Sequence, residues 1–135
     1  MPFARLSLVP APAQHAIDRL QTDLSDLIAS ILRKRHDLTS VLVLAPAPSA
    51  WSIGAVAVHA TAHLEVFVTA GTNSETEKRD FIRLAMATLR QVVPGLAEAT
   101  YVVIHELPGT DWGYDGQTQT DRAAKPKVAQ STLSI

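Results

Sequence analysis

Tyr101-Val102-Val103-Ile104-His105-Glu106, then Pro108-Gly109, then Asp111-Trp112-Gly113-Tyr114-Asp115-Gly116 is the stretch whose reading decides the fold. The first segment, rich in β-branched and aromatic residues, reads as a strand. The glycine-rich segment after it reads as a hairpin-like turn built around a tryptophan. The same order occurs earlier in the chain. Ser40-Val41-Leu42-Val43-Leu44 reads as a buried strand, Ala45-Pro46-Ala47-Pro48 stops it, and Trp51-Ser52-Ile53-Gly54 follows. Val41 and Tyr101 stand sixty positions apart, and Trp51 and Trp112, the only two tryptophans, sixty-one. Self-similarity at a fixed spacing is the signature of a repeated unit.

Upstream of each strand lies a helix, and upstream of each helix another strand. Between Ala13 and Arg35, Ile17, Leu20, Leu24, Leu27, Ile28, Ile31 and Leu32 recur at three- and four-residue steps. That spacing predicts one stripe of an amphipathic helix. Asp18, Asp23 and Asp26 fall towards its start and Arg33-Lys34-Arg35 at its end, as the macrodipole prefers. Before it, Phe3 to Val9 reads as a strand stopped by Pro10-Ala11-Pro12. In the second half, Leu64 to Thr69 reads as a strand and Gly71-Thr72-Asn73 as a turn. Ser74 to Glu77 has the pattern of a capping box. Ile82, Ala85, Met86, Leu89 and Val93 form the apolar face of the helix it opens, which ends at Pro94-Gly95.

The expected fold class is therefore α/β (α+β) with a duplicated β-α-β unit. Each unit makes a parallel strand pair through a right-handed crossover. Two units side by side predict a four-stranded sheet with two long helices on one face and a short hairpin after each unit. One domain is expected over residues 1–119, with repeats at about 2–58 and 61–119 and a polar tail over 120–135. The tail's Lys125-Pro126-Lys127 segment reads as mobile, with its end placed to strap a neighbouring subunit. The face the helices leave uncovered carries Phe3, Ser7 and Val9 with Arg5 among them, and Phe67 and Tyr101 on other strands. Such a half-apolar face predicts a homo-oligomer, most simply a closed ring.

Composition narrows the function. The chain has 135 residues, is 47% hydrophobic and 19% charged, and carries a formal net charge of -1. A nucleic-acid surface needs a basic excess, so no nucleic-acid partner is expected. The chain has no cysteine, which excludes disulfides, thiolate metal sites and thiol nucleophiles. No apolar run approaches the ~20 residues that span a bilayer, and the amino terminus lacks the pattern of a signal peptide. No membrane association and a cytoplasmic location are the resulting expectations.

One residue points to chemistry. Pro2 follows the initiator methionine, and trimming of Met1 would expose a secondary amine at the start of a hydrophobic strand. An α-amino group titrates near pH ~8 in the open. Desolvation disfavours its charged form and lowers that value, which poises it for general base catalysis near neutrality.

Pro2-Phe3-Ala4-Arg5-Leu6, Gly71 to Lys78, and Tyr101 to Gly116, within the duplicated β-α-β pattern, resemble the tautomerase superfamily. The chain is similar to its fused 4-oxalocrotonate tautomerase-like members and close in length to malonate semialdehyde decarboxylase. The resemblance covers the chain to about Gln119. It implies a cofactor-independent keto-enol tautomerase, an isomerase acting on a small 2-oxo or enol acid, with Pro2 as the catalytic base. The alternatives it leaves open are a decarboxylase or dehalogenase-hydratase using Pro2 as an acid, and a non-catalytic binding protein of the same fold. It further implies a homotrimer with sites near subunit boundaries, and an aromatic residue from a hairpin beside the proline, which points to Trp51 and Trp112.

The arginines by which the family holds its substrate's carboxylate have no match here. Their positions hold Pro12 and Leu42 in the first half, and Thr72-Asn73 and Tyr101 or Val102 in the second. Arg5 is the nearest substitute, with Arg35 reaching in as another. Tyr101 is a candidate donor to a developing oxyanion. His105 shares its parity and joins it as a candidate substrate contact, whereas Glu106 points to the other face. His59 and His63 are four apart but lack a third ligand or a metalloprotease glutamate, so no metal and no cofactor are expected.

Overall fold

The computed structural model describes residues 1–124. The expected segment Lys125-Pro126-Lys127 and the strapping role of the chain's end lie outside the described residues. Two β-α-β units are present: β1 (Phe3–Val9), α1 (Gln14–Ser30) and β2 (Ser40–Leu44), then β5 (Thr61–Thr69), α2 (Glu75–Val92) and β6 (Tyr101–Leu107). Each is followed by a two-residue-strand hairpin, β3 (Ser52–Ile53) with β4 (Val56–Ala57), and β7 (Gly113–Tyr114) with β8 (Gln117–Thr118). The four long strands form one sheet in the order β2-β1-β5-β6. β1 pairs with β2 in parallel, β5 with β6 in parallel, and β1 meets β5 antiparallel with Phe3 opposite Phe67 and Leu6 opposite Leu64.

The antiparallel junction relates the two units by a local two-fold. It sets the amino end of β1 beside the carboxyl end of β5, with the β1 carboxyl end at Thr61. Alternation along the strands does the sorting. Ala4, Leu6 and Leu8 on β1 and Ala62, Leu64, Val66 and Val68 on β5 are buried beneath the helices. They pack with Leu20, Leu24, Ile28 and Leu32 of the first helical region, and with Phe81, Ala85 and Leu89 of α2. Leu27, Ile31, Val41, Val43, Val102 and Ile104 flank this core.

Several boundaries differ from expectation for identifiable reasons. α1 stops at Ser30 instead of running to Arg35, because Arg33 takes a left-handed φ of 59° that no helix accommodates. The Asn73 side chain donates to the Leu32 carbonyl at 2.8 Å and satisfies one of the acceptors freed there. β5 begins at Thr61, three residues before the expected Leu64. In α2 the buried line is Phe81, Ala85, Leu89 and Val93, while Ile82 is 42% exposed. The two stripes overlap on the helical wheel, and the bulkier phenylalanine takes the core position. The capping box at Ser74 is complete, with reciprocal bonds to Glu77 of 3.1 and 2.8 Å. Gln119–Ala123 form a short helix, α3, capped by the Thr118 hydroxyl, in a segment expected to be mobile tail.

The hairpins repeat in detail. Gly54 and Ala55 have φ of 59° and 62°, and Asp115 and Gly116 have 52° and 78°. Both are two-residue turns with positive φ at each central position, the geometry whose twist matches its flanking strands.

Candidate functional site

The amino terminus lies in a cavity of about 230 Å³ lined by Met1, Lys34, Val68, Thr69, Thr72, Gln119 and Ala123. Pro2 is buried, and its carbonyl accepts from the Ser40 N–H at 3.3 Å. Continuing the β1–β5 register by two residues sets Met1 opposite Thr69, at the carboxyl end of β5. Thr69 is the hub of the site. Its carbonyl accepts from the Thr72 hydroxyl at 2.6 Å, and its own hydroxyl accepts from Trp112 Nε1 at 3.2 Å.

Lys34 enters because of the bend at Arg33. Its Nζ donates to Thr72 Oγ1 at 2.7 Å, tying the end of the first helical region to the β5–α2 turn. The resemblance expects an arginine at Thr72; the threonine instead holds a lysine ammonium delivered from elsewhere in the chain. Burial lowers the Lys34 pKa, opposed by the Glu77 carboxylate and assisted by Arg33. Arg122 comes from α3. Its guanidinium stacks 3.7 Å over the Tyr114 ring and donates to the Tyr114 carbonyl at 3.0 Å. Arg35 donates from Nε and Nη2 to the two carboxylate oxygens of Asp37, at 3.1 and 2.6 Å, on the exposed side.

These cations act on the amino terminus. Partial burial first, then the charges of Lys34, Arg35 and Arg122 in that order, hold the terminal amino group below its ordinary value of 8.0. Protonating an amine beside fixed positive charge is unfavourable, so the neutral, proton-accepting form persists to lower pH.

The other candidates separate into two further places. Trp112 alone lies at the amino-terminal end of β1, through its bond to Thr69. Arg5 and His105 lie on the uncovered sheet face and converge on Glu65: Arg5 Nε and Nη2 reach Oε2 at 3.1 Å, and His105 Nε2 lies 3.0 Å from Oε1. His105 stacks on Phe67 with ring centres 4.5 Å apart. Trp51 and Tyr101 meet at the opposite end of the sheet, with His63. Val9, expected on the uncovered face, is fully buried at the end of β1. Lys34 and Arg122 were not singled out in the sequence. Lys34 sits in a basic run that reads as a helix end, while Thr118 and Asp121 do carry the capping spacing that announces α3.

The Glu65 cluster has a measurable consequence. The Arg5 hydrogen bond, and secondarily His105, hold the Glu65 carboxyl below the usual carboxylate range despite burial acting the other way. A depressed carboxylate contributes stability that is present above its unfolded pKa of ~4.3 and is lost as pH falls through the folded value. Glu65→Gln is expected to cost about 1 kcal/mol at neutral pH. In chemical denaturation from pH 7 down to pH 3, as set by that window, the gap between variant and wild type should close. A gap that persists unchanged in acid refutes the assignment.

A second expectation concerns the hairpin. A Cβ at Gly113 runs into the Gln117 carbonyl across the β7–β8 pair, where backbone has no room to yield. Gly113→Ala should open the hairpin and release Trp112 from Thr69, read as a red shift in tryptophan emission with a cost of roughly 1–3 kcal/mol. Unchanged emission and stability would contradict the packing described.

No known family model matches the sequence, and no curated protein does. Solved structures do match. A fused 4-OT symmetric trimer superposes with a TM-score of 0.81 at 17% identity, covering 91% of this chain and 99% of that one. A malonate semialdehyde decarboxylase inhibited by 3-bromopropiolate gives 0.72 at 18% identity, covering 92% and 99%. A macrophage migration inhibitory factor-like protein from Entamoeba histolytica gives 0.74 at 16% identity, covering 87% and 97%. The fold of this chain, two β-α-β units joined across an antiparallel centre, is the fold shared with these solved structures.

Proposed function

We propose that this protein is a cofactor-independent keto-enol tautomerase of a small 2-oxo or enol acid, with the Pro2 amine as general base once Met1 is removed. One observation carries the reading: the amino terminus occupies a cavity beside Lys34, where burial and three cations lower the pKa of the terminal amino group. The same field acts on a Pro2 nitrogen one residue further on. In the forward step the neutral amine takes the enol hydroxyl proton, and the resulting ammonium returns a proton to carbon, leaving the keto isomer. Atoms balance with no cofactor. Lys34 pairs with the substrate's carboxylate and stabilises charge developing on the neighbouring oxygen, as preorganised donors do. Trp112 bonds to Thr69, a residue of the cavity wall, and in this reading steadies that wall.

The direction of the amine's shift favours the base over the acid role, because an acid needs the protonated form near neutrality. Assembly as a trimer is part of the reading. The uncovered face presents Leu42 and Leu44, each 42% exposed, and Tyr101, 67% exposed, around the Arg5–Glu65–His105 cluster. β6 carries Tyr101 at one end and Leu107 at the other, ~20 Å away at the rise of a strand. The Leu107 carbonyl bonds the Ala70 N–H at the Pro2 end, so Tyr101 serves a Pro2 site only across a subunit boundary. The test is ketonisation of phenylenolpyruvate and 2-hydroxymuconate by protein whose intact mass shows Met1 removed. No turnover of either by trimmed protein would favour the non-catalytic binding alternative.

A further inference from the structure

The duplication that sets the Trp112 hairpin at the Pro2 end sets the Trp51 hairpin at the opposite end of the same sheet. A second cleft of about 390 Å³ lies there, lined by Trp51, Ser52, Ile53, His63, Ala99 and Tyr101. His63 and Tyr101 meet edge to face with ring centres 6.4 Å apart. The repeat relates this cleft to the amino-terminal one, but its chemistry has diverged at each functional point. The strand it opens on is entered through Ala60, Thr61 and Ala62, all buried within the chain, so no terminal amine stands there. Arg33, with φ of 59°, precedes Lys34; its counterpart Gly95, with φ of 68°, precedes Leu96, which packs against the core. The position that supplies a lysine to one cleft is held in the other repeat by a leucine turned to the core.

We propose that this second cleft binds a neutral planar aromatic molecule of the phenol class and performs no chemistry on it. Trp51 and Tyr101 hold the ring, and the hydroxyl meets the His63 imidazole. An enclosed cavity of ~150 Å³ already accommodates benzene, so the space admits one substituted ring. Neutrality follows from the lining: among the described residues it contains no lysine, arginine, aspartate or glutamate. An adjoining groove through Ile53, Ala99 and Tyr101 adds Glu98, which repels an anion. The competing occupant is a second copy of the chain. The local two-fold opposes it, because an assembly through the uncovered face that leaves one end of the sheet accessible leaves its counterpart accessible too. The inference does not need Pro2 to be a base.

The test is phenol titrated into the full-length protein at about pH 8, below the ~10 at which a phenol ionises, followed by backbone amide shifts. Tryptophan emission of Trp112→Phe, in which Trp51 is the sole tryptophan, gives a second readout. Saturable shifts are expected at Trp51, Ser52, His63 and Tyr101. Tyr101→Ala should weaken binding about five-fold or more through loss of the ring contact, and Tyr101→Phe should stay within about two-fold. Benzoate should bind this cleft about tenfold more weakly than phenol, for want of a cation to replace its hydration. If Tyr101→Ala does not fold, Trp51→Ala carries the same expectation. Phenol shifts confined to the Met1–Lys34 cavity, equal affinity for benzoate, or shifts at these residues that follow protein concentration without phenol would each overturn the proposal. A dead tautomerase with saturable phenol binding at Trp51 would leave it standing.

Discussion

When two or three residues are added ahead of Pro2, kcat/KM for ketonisation of phenylenolpyruvate is expected to fall by roughly 10²–10⁴, the contribution of a positioned general base. The extension turns the proline nitrogen into an amide, which cannot accept a proton, and it displaces the terminal amine from a cavity of only about 230 Å³. Pro2→Ala is a milder change, because the trimmed variant still offers a primary amine at nearly the same place. Its loss should be smaller than that of the extended protein. The pH profile of the trimmed wild type adds a second check. Activity should rise with pH through the amine's pKa, with the acid limb below the ordinary α-amino range because burial, Lys34, Arg35 and Arg122 disfavour its protonated form. Extended protein that turns over at the wild-type rate sinks the base assignment.

Replacing Lys34 with methionine is the second large effect. A hydrogen bond to a charged group contributes about 1.5–3 kcal/mol, so kcat/KM for carboxylate substrates should drop by roughly 10–100-fold. Lys34→Arg should recover much of it, since a guanidinium also holds a carboxylate. A structural role alone makes no forecast about pH, whereas the field argument does. Lys34 is the largest charge effect after burial on the terminal amino group. Its removal raises the amine's pKa, and the acid limb of the profile moves to higher pH. Enol substrates without a carboxylate should lose little. An equal loss on both substrate types with an unmoved profile would show that Lys34 supports the loop at Thr72 and not the substrate.

The repeat was legible because periodicity and punctuation agree. The β2 segment was predicted at its observed bounds, Ser40–Leu44, by an apolar run between a polar residue and a proline pair. The capping box at Ser74 was visible because its two reciprocal bonds require those residue types at that spacing. The boundaries that slipped depend on contacts made later in folding. α1 ends early because Arg33 turns left-handed, with Asn73, from the other repeat, taking up the Leu32 carbonyl. Phe81 replaces Ile82 in the core because the sheet's surface, not the helix alone, chooses which of two overlapping stripes is buried.

The candidate site divides the same way. Pro2 is a matter of sequence, since its value as a base rests on standing at a chain terminus. Trp112 was placed by its spacing from Trp51, but that spacing treats the two as equals. Only the antiparallel β1–β5 junction sends the Trp112 hairpin to the Pro2 end and the Trp51 hairpin to the other. Arg5 was read as a site residue as the nearest substitute for a missing arginine, and His105 for its parity with Tyr101; Glu65, between them across the strands, takes both. Lys34 and Arg122 reach the amino terminus from segments some thirty and a hundred and twenty residues along the chain. By itself, then, the sequence determined the duplicated β-α-β fold, its open face and the proline at position 2, because those follow from local periodicity and position. The tertiary structure decided which cations act on the amino terminus and which tryptophan bonds to Thr69 beside it, because charge and shape act through space between residues that no local spacing relates.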